Sequence, residues 1–286
     1  MRNDKIIIIP AYNEEKHIGA IIQKVLNFCD NIVVVNDFSL DNTEEIAKEL
    51  GAIVLNHKNN LGNSQALKTG IKYALKNDFR YIITIDGDNA HNPYDIVSLF
   101  QSHIINNNDL TIGNRFSEDD LLNIPSHKVY ANKFATNLFN CIFHTNLLDV
   151  ACGFRVLSQN IASKIIQTNS VGYGLVYDTI YEAMKYNYQI GFEKIDVRYD
   201  ATELNFTKIK ELKNLIDTYM KFAISNKKIF LILEHIKYEV DHNHPFSVIL
   251  NNILICALPL NNSYVFQKQS KGLNNYIGNL YELTKI

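Results

Sequence analysis

The feature that most constrains this chain is a regular alternation of short apolar runs with segments whose apolar residues recur at helical spacing. Helical spacing is clearest after Glu14, at Ile18, Ile21 and Ile22. The strand-like runs are Lys5–Ile9, Ile32–Val35, Ala52–Leu55, Tyr81–Ile85 and Leu110–Ile112. Strands that alternate with helices predict an α/β fold with a mostly parallel sheet sandwiched by helices.

The alternation loosens after Gly113. The pattern there predicts a helix over 128–143, a strand or loop over 149–157, a helix over 177–188 and a strand over 189–199. From about Leu212 the pattern is helical and basic-apolar, and an Asn-rich tail begins at Asp241. We therefore expect one domain over residues 1–210 and a C-terminal helical extension of unknown role over 211–286.

Charge and cysteine content narrow the class of protein. The 286 residues carry a formal net charge of −2, whereas a nucleic-acid surface usually shows a basic excess. The four cysteines form no C-x-x-C pair, so neither a zinc site nor a redox pair is indicated. With no apolar run long enough to span a bilayer, the sequence predicts a cytoplasmic protein and leaves peripheral contact with a membrane open.

Polar clusters follow several predicted strands, and ligands of such sheets bind at the carboxyl ends of the strands. Asp86 and Asp88 come directly after the fourth strand. Two carboxylates held close together favour a cation, and Mg²⁺ or Mn²⁺ prefers carboxylate and phosphate oxygens. His91 could reach the same metal. The alternative is an ordinary exposed acidic loop.

Two further charged residues follow predicted strands. Asp37 is placed to accept hydrogen bonds from a nucleobase or a ribose, or else to stabilise a turn. Arg115 can bind phosphate oxygens through two N–H groups, or else form a surface salt bridge. Arg155 has the same two interpretations. The chain contains no G-x-G-x-x-G after its first strand, no phosphate-binding P-loop and no G-x-S-x-G elbow.

Four motifs in order resemble glycosyltransferase family 2, whose members have the GT-A fold. The stretch from Pro10 to Glu15 resembles P-A-Y-N-E-E, and Val35 to Thr43, V-N-D-F-S-L-D-N-T, resembles V-D-D-G-S-x-D-x-T. The segment from Asn60 to Gly70 resembles N-x-G…A-L-x-x-G, and Asp86-Gly87-Asp88 resembles the D-x-D metal motif. The resemblance covers roughly residues 5 to 200.

Within that family the chain is most similar to the dolichyl- or polyprenyl-phosphate sugar transferases. Their D-A-D-G-Q-H-x-P is matched by Asp86 to Pro93, their G-S-R-F by Gly113 to Phe116, and their D-x-x-S-G-F-R by Asp149 to Arg155. Ala90 stands where those relatives have a Gln that helps to hold the metal, Asn36 replaces an Asp, and Cys152 replaces the Ser.

The resemblance implies roles for particular residues. It implies catalytic roles for Asp86, Asp88, Arg115 and Asp149. It implies a nucleotide site lined by Pro10, Tyr12, Glu14, Asp37, Asn60, Lys68 and Asp86. It implies that Asp88, Asp86 and His91 hold the metal.

The expected activity is inverting, metal-dependent transfer of a sugar from a UDP- or GDP-sugar to a polyprenyl phosphate or a glycan, as in cell-wall or polysaccharide biosynthesis. A glycan hydroxyl would need a base, for which Asp149 and Asp178 are the candidates. A phosphatase or nucleotidyltransferase that uses the same paired Asp is one alternative. The other is an inactive nucleotide-sugar-binding module, which Ala90 and Asn36 keep open.

Overall fold

The computed structural model describes residues 4–116, 126–143 and 145–197. The strands are β1 (Lys5–Ala11), β2 (Ile32–Asn36), β3 (Ile53–Asn56), β4 (Tyr81–Thr84), β5 (Leu110–Asn114), β6 (Arg155–Ser158) and β7 (Ile190–Lys194). The helices are α1 (Ile18–Val25), α2 (Thr43–Glu49), α3 (Asn63–Lys76), α4 (Ile96–Ile105), α5 (Ser126–Phe143), α6 (Gln159–Ile165) and α7 (Leu175–Lys185). A short 3-10 turn, Pro93–Asp95, precedes α4.

The strands form a seven-stranded sheet in the order β3-β2-β1-β4-β6-β5-β7. β1 lies between β2 and β4 and is parallel to both, with Ile8 opposite Val33 on one side and Thr84 on the other. β6 runs antiparallel to both β4 and β5, and the remaining strands run the same way. The predicted mostly parallel α/β sheet is confirmed.

The core follows from the apolar runs of the sequence. Ile6 to Ile9 of β1 and Val33 to Val35 of β2 are fully buried, as expected for strands covered on both faces. Helix α1 buries Ile18, Ile21, Ile22 and Val25, the same residues whose spacing predicts it.

The structure corrects three local predictions. Helix α6 was not predicted, because it is short and its apolar face is small. Of the segment 149–157, predicted as a strand or loop, the last three residues belong to β6 and the rest forms a connection. The spacing of Asp41 and Glu44 predicts a capping box at the start of α2. Asp41 does accept a hydrogen bond from the Thr43 amide, but Glu44 binds Lys48 and Asn56 instead of completing the box.

Grouping residues that lie close together in space divides the chain into two compact units. The first comprises Met1–Val129 and Leu148–Thr202 and contains the whole sheet. The second comprises Tyr130–Leu147 and Glu203–Ile286, of which the structure describes 130–143 and 145–147. In that part, the Asn140 side chain accepts hydrogen bonds from the Leu147 amide and the Thr145 hydroxyl, which closes the turn after α5.

The predicted extension over 211–286 and its helical pattern lie outside the described residues. None of the described helices combines the length and the apolar character needed to cross a bilayer.

Candidate active site

The order of the strands locates a crevice at the carboxyl ends of β1 and β4. From β1 the chain moves outward to β2 and β3, and then returns to place β4 on the other side of β1. Adjacent parallel strands whose connections run in opposite directions leave an open crevice between their following loops, where ligands of α/β proteins bind. The loops after β1, β2 and β4 carry most of the predicted site residues.

The loops after β1 and β2 are joined by hydrogen bonds. The Asn13 amide donates to the Ser39 hydroxyl at 2.9 Å, and the Leu40 amide donates to the Asn13 side chain at 2.8 Å. The Glu14 amide donates to the Thr43 hydroxyl at 2.8 Å. These bonds fix the two loops relative to each other. Tyr12, which the resemblance places in the nucleotide site, remains 45% exposed beside them.

Asp37 anchors a third loop. Its buried carboxylate accepts hydrogen bonds from the amides of Leu61 and Gly62 at 2.8 and 2.7 Å. It also pairs with His57 Nδ1 at 2.6 Å, and His57 Nε2 lies 2.9 Å from the Thr69 hydroxyl of α3. Both carboxylate oxygens are therefore occupied by protein groups. Asp37 holds the loop that leads into α3, and this loop includes the exposed Asn60.

Asp86 and Asp88 lie at the carboxyl end of β4, against the end of β1. A Cβ on Gly87 would lie 2.9 Å from the Pro10 carbonyl oxygen, and a Cβ on Gly153 would lie 2.7 Å from Asp86 Oδ2. A side chain at either glycine would therefore clash. Gly87 allows the chain after Asp86 to lie against the Pro10 carbonyl, and Gly153 allows a close approach to the Asp86 carboxyl.

The two carboxyls differ in environment. Burial, with the adjacent charge of Asp88, raises the pKa of Asp86 to about 7, against opposing contributions from Arg115 and a hydrogen bond from Asn63. Asp88 is exposed, and its Oδ1 accepts a hydrogen bond from the Ala90 amide at 3.0 Å. Burial and the charge of Asp88 also raise the pKa of Glu14. The carboxyl groups of Asp86, Asp88 and Glu14 are therefore close enough to influence one another.

The turn after β4 contains two unsatisfied polar atoms. Within the described ranges, Asn89 Oδ1 and His91 Nδ1 are the buried side-chain polar atoms that have no hydrogen-bond partner. His91 is 4% exposed, its Nδ1 lies 3.9 Å from Asp86 Oδ2, and its Nε2 lies 3.7 Å from the Cys152 sulfur. Burial lowers the pKa of His91 to about 4, so the ring is neutral and can offer a lone pair.

These residues fit a divalent cation that also binds a substrate. No group of three or more His, Cys, Asp or Glu side chains arranged for a metal occurs among the described residues. Mg²⁺, however, is usually held by one or two protein carboxylates together with substrate phosphates and water. The repelling pair Asp86 and Asp88, with the unpartnered His91 Nδ1 beside it, suits that arrangement.

Arg115 and Asp149 form a buried ion pair. Arg115 Nε and Nη2 donate to the two Asp149 carboxylate oxygens at 2.7 and 2.9 Å. Asp149 is fully buried and also accepts a hydrogen bond from the Ala151 amide at 3.2 Å. The structure thus brings together two predicted catalytic residues, and each satisfies the charge of the other.

Arg155 is held by backbone carbonyls. It donates to the carbonyls of Cys152, Val176 and Val150 at 2.6 to 2.9 Å. Burial lowers its pKa to about 10. Its guanidinium ties the connection before β6 to the start of α7, so neither interpretation made from the sequence, a phosphate contact or a surface salt bridge, describes it.

Lys68 lies on the side of α3 that faces the connection between α6 and α7. It is buried and donates to the Thr168 carbonyl, and burial lowers its pKa. In the same region Ser170 donates to Asp178, and the Gly172 carbonyl accepts from the Ser64 amide at 2.8 Å. Lys68 therefore contacts a different group of residues from those around Asp86.

Sequence reasoning missed two neighbours of Asp86. Asn63 donates a hydrogen bond to the Asp86 carboxyl, and Gly153 packs against it. Asn63 directly follows the recognised Asn60-Leu61-Gly62 segment, so its position was a signal that could have been used. Gly153 lies in the recognised Cys152-Gly153-Phe154-Arg155 segment, but no feature of the sequence links it to Asp86.

Comparison with known proteins decides the family. The model of glycosyl transferase family 2 matches residues 6–166, which span β1 to β6 and every site residue predicted from the sequence except Asp178. The chain belongs to this family. The recognition made from the four motifs is confirmed, and the protein is a family 2 glycosyltransferase.

Named relatives are similar over most of their lengths. An uncharacterized protein of Methanocaldococcus jannaschii is 30% identical over 230 residues, which cover 76% of this glycosyltransferase and 98% of the relative. The UDP-N-acetylglucosamine–dolichyl-phosphate N-acetylglucosaminyltransferase of Methanococcus voltae is 32% identical over 196 residues, 58% of this chain and 78% of the relative.

A solved structure supports the fold. Glucosyl-3-phosphoglycerate synthase of Mycobacterium tuberculosis, crystallised with Mn²⁺, UDP and phosphoglyceric acid, superposes with a TM-score of 0.61 at 17% identity. The match covers 76% of this glycosyltransferase and 78% of that chain. The GT-A fold expected from the sequence is confirmed.

Proposed function

We propose that this glycosyltransferase transfers a sugar from a UDP- or GDP-sugar to a polyprenyl phosphate, with a divalent cation and inversion at the anomeric carbon. The observation that carries the proposal is the pair Asp86 and Asp88 in the crevice between β1 and β4. The pair lies where family members are expected to bind a nucleoside diphosphate through a metal, and burial together with the charge of Asp88 raises the pKa of Asp86 to about 7.

In this proposal the donor binds along the carboxyl ends of β1, β2 and β4. Asp86 and Asp88 would hold Mg²⁺ or Mn²⁺, and His91 Nδ1 would be a further ligand. The bound cation would neutralise the negative charge that develops on the leaving nucleoside diphosphate. Tyr12 and Glu14 line the nucleoside site. Asp37 positions the loop of Leu61 and Gly62 through the hydrogen bonds described above.

Two observations support a lipid-phosphate acceptor, the name of a relative and the pairing of Asp149 with Arg115. The Methanococcus voltae relative is named for a dolichyl-phosphate acceptor. A phosphate acceptor is already anionic at neutral pH and needs no base. Its oxygen attacks the anomeric carbon as the bond to the diphosphate oxygen breaks, and this single displacement inverts the configuration.

A glycan acceptor is supported less well. Its hydroxyl would have to lose a proton to a carboxylate, and Asp149 is fully buried and paired with Arg115. Asp178, the other candidate, is buried beside Ser170 and the α6–α7 connection. Family membership removes the proposal of a phosphatase or nucleotidyltransferase.

A polyprenyl phosphate lies in a membrane, so the proposal requires peripheral contact with a membrane surface. Five basic residues of the sequence have two interpretations, a solvated helix face or a contact with anionic lipid headgroups. They are Lys208, Lys210, Lys213, Lys227 and Lys228, and all lie outside the described residues. The lipid acceptor should therefore be supplied both in vesicles and in detergent.

The test is sugar transfer by the full chain. The protein is incubated with UDP- and GDP-sugars labelled in the sugar, a polyprenyl phosphate, and either Mn²⁺ or EDTA. We expect label in the lipid phase with one donor, dependent on the metal and lost in Asp88→Asn. The matched control is Asp30→Asn, which should retain activity. It changes an exposed carboxylate just before β2, at the amino ends of the parallel strands and away from the site.

Three results would contradict the proposal. Transfer to a glycan but not to the lipid would overturn the acceptor. Equal activity in EDTA would overturn the metal. Nucleotide-sugar binding without turnover on any acceptor would favour the inactive binding module.

A further inference from the structure

Phe38 has a backbone conformation that its residue type disfavours. Among the residues that the structure describes, six other than glycine have positive φ, and five of these are Asn or Asp, which tolerate that region. Phe38, with φ of 69°, is the exception. In the family motif V-D-D-G-S-x-D-x-T, the corresponding position is a glycine, for which this conformation carries no penalty.

The neighbours of Phe38 hold it in this conformation. On one side, the Asp37 amide donates to the Ala11 carbonyl at 2.9 Å. On the other, the Ser39 amide donates to the Asn36 side chain at 3.0 Å, and the Ser39 hydroxyl accepts from Asn13. The backbone is therefore fixed on both sides of position 38, and Phe38 keeps a positive φ although its Cβ disfavours it.

The side chain of Phe38 is also only partly buried. Phe38 is 43% exposed, and no aromatic contact to it is formed within the described part of the chain. Packing in the free protein therefore does not explain why a large aromatic residue stands here. Strain that the fold maintains without a packing benefit is a reason to look for a ligand.

The position of Phe38 indicates what that ligand is. Phe38 follows Asp37 at the carboxyl end of β2, on the loop that is hydrogen-bonded to the loop of Tyr12. Tyr12 is 45% exposed, so the adjoining loops after β1 and β2 each carry a partly exposed aromatic side chain at the carboxyl ends of the strands. An exposed aromatic face binds a nucleobase by stacking, whichever base it is, because every base has a π-face.

We infer that Phe38 is a nucleobase-stacking residue of the donor site, used here in place of the glycine of the family motif. The inference rests on the proposed nucleotide-sugar donor. Phe38 supplies affinity for the nucleoside diphosphate and does not choose between uracil and guanine. Hydrogen-bonding groups elsewhere in the site make that choice.

The experiment is calorimetric titration of the full chain with UDP and with GDP in the presence of Mn²⁺. Phe38→Leu keeps an apolar side chain but removes the π-face, and Phe38→Tyr keeps the face. We expect Leu to raise Kd by about 5- to 150-fold, the equivalent of the stacking of one base, and Tyr to stay within about twofold. Where both nucleotides bind, the factor should be similar for UDP and GDP.

Two controls separate binding from folding. Leu40→Ala removes a more exposed apolar side chain, 80% exposed, from the same loop and should leave Kd unchanged. Phe38→Gly removes the strain together with the aromatic face. It should therefore lose nucleotide affinity without a fall in Tm, a combination that a merely structural residue would not produce.

An unchanged Kd in Phe38→Leu would overturn the inference. So would loss of binding to vesicles of anionic phospholipid with nucleotide affinity intact, which would assign Phe38 to a membrane contact. A wild-type protein that binds neither nucleotide would instead overturn the proposed function, so the two failures are distinguishable.

Discussion

Two pairs of charged residues lie near the carboxyl ends of the parallel strands, and their electrostatic environments differ. Arg115 and Asp149 have opposite charges, are buried, and satisfy each other through two short hydrogen bonds. Asp86 and Asp88 both carry carboxyl groups, and burial together with the charge of Asp88 raises the pKa of Asp86 to about 7.

This difference distinguishes charged residues that stabilise the fold from charged residues that bind a ligand. In a buried pair of opposite charges each member stabilises the other, and removing one leaves a buried charge without its partner. An open pair of like charges is costly in the free protein and is relieved by a cation. We therefore expect variants of the first pair to lose stability and variants of the second to lose activity.

The largest effect is expected for Asp149→Ala. It leaves the Arg115 guanidinium buried without its carboxylate, and should lower the free energy of unfolding by about 3–5 kcal/mol. Urea unfolding followed by circular dichroism measures this. A double variant, Arg115→Met with Asp149→Leu, should recover part of the loss because neither charge remains. A single variant as stable as the wild type would show that the pair is not closed in solution.

The next effect is expected for Asp88→Asn, in activity rather than stability. Loss of a metal ligand that stabilises the leaving group by several kcal/mol should lower kcat by about two to three orders of magnitude. Because Asp88 is exposed, the urea midpoint should stay within error of the wild type. A large fall in stability with normal turnover would reverse the comparison.

Asp37→Asn tests a residue that resembles the closed pair although it was expected in the nucleotide site. Its amide cannot replace a carboxylate that accepts from Leu61, Gly62 and His57, so unfolding should become easier by about 1.5–3 kcal/mol. Unfolding and UDP affinity should be measured on the same sample. Weakened nucleotide binding with unchanged stability would instead make Asp37 a direct ligand of the nucleoside.

The smallest effect concerns pH and uses His103, a buried histidine away from both pairs. Its Nδ1 lies 3.0 Å from the Thr111 hydroxyl, and burial lowers its pKa to about 4. The unfolded state, with a pKa near 6.5, binds the proton more readily, so stability falls as pH falls from about 6.5 toward 4.

We expect this histidine to contribute no more than about 1 kcal/mol of loss between pH 6.5 and 5.5. His103→Gln cannot titrate, and its unfolding free energy should depend less on pH over this range. Equal pH dependence in the two proteins would show that His103 is not the group responsible.

Local pattern was sufficient for much of the fold. Ile6 to Ile9 and Val33 to Val35 are apolar in unbroken runs because their strands are covered on both faces. The Asp86 and Asp88 pair was found for a similar reason, since it directly follows such a run. Helix α6 was missed because seven residues, Gln159–Ile165, are too few to establish a helical period.

The partners of the charged residues were not predictable in this way. Arg115 and Asp149 are 34 positions apart, and Lys68 and Thr168 are 100 positions apart. Each of these side chains, read alone, was compatible with a ligand or with an internal partner. Spacing along the chain carries no information about which of the two is nearer in the folded protein.

By itself, the sequence determined the α/β class, the family and the strand end at which the paired carboxylates lie, because periodicity and motifs are local properties of the chain. The tertiary structure alone decided that Arg115 is closed by Asp149, that Asp37 anchors the loop into α3, and that Phe38 is both strained and exposed. Those outcomes depend on contacts between distant segments, which form only when the sheet order brings their loops to one edge.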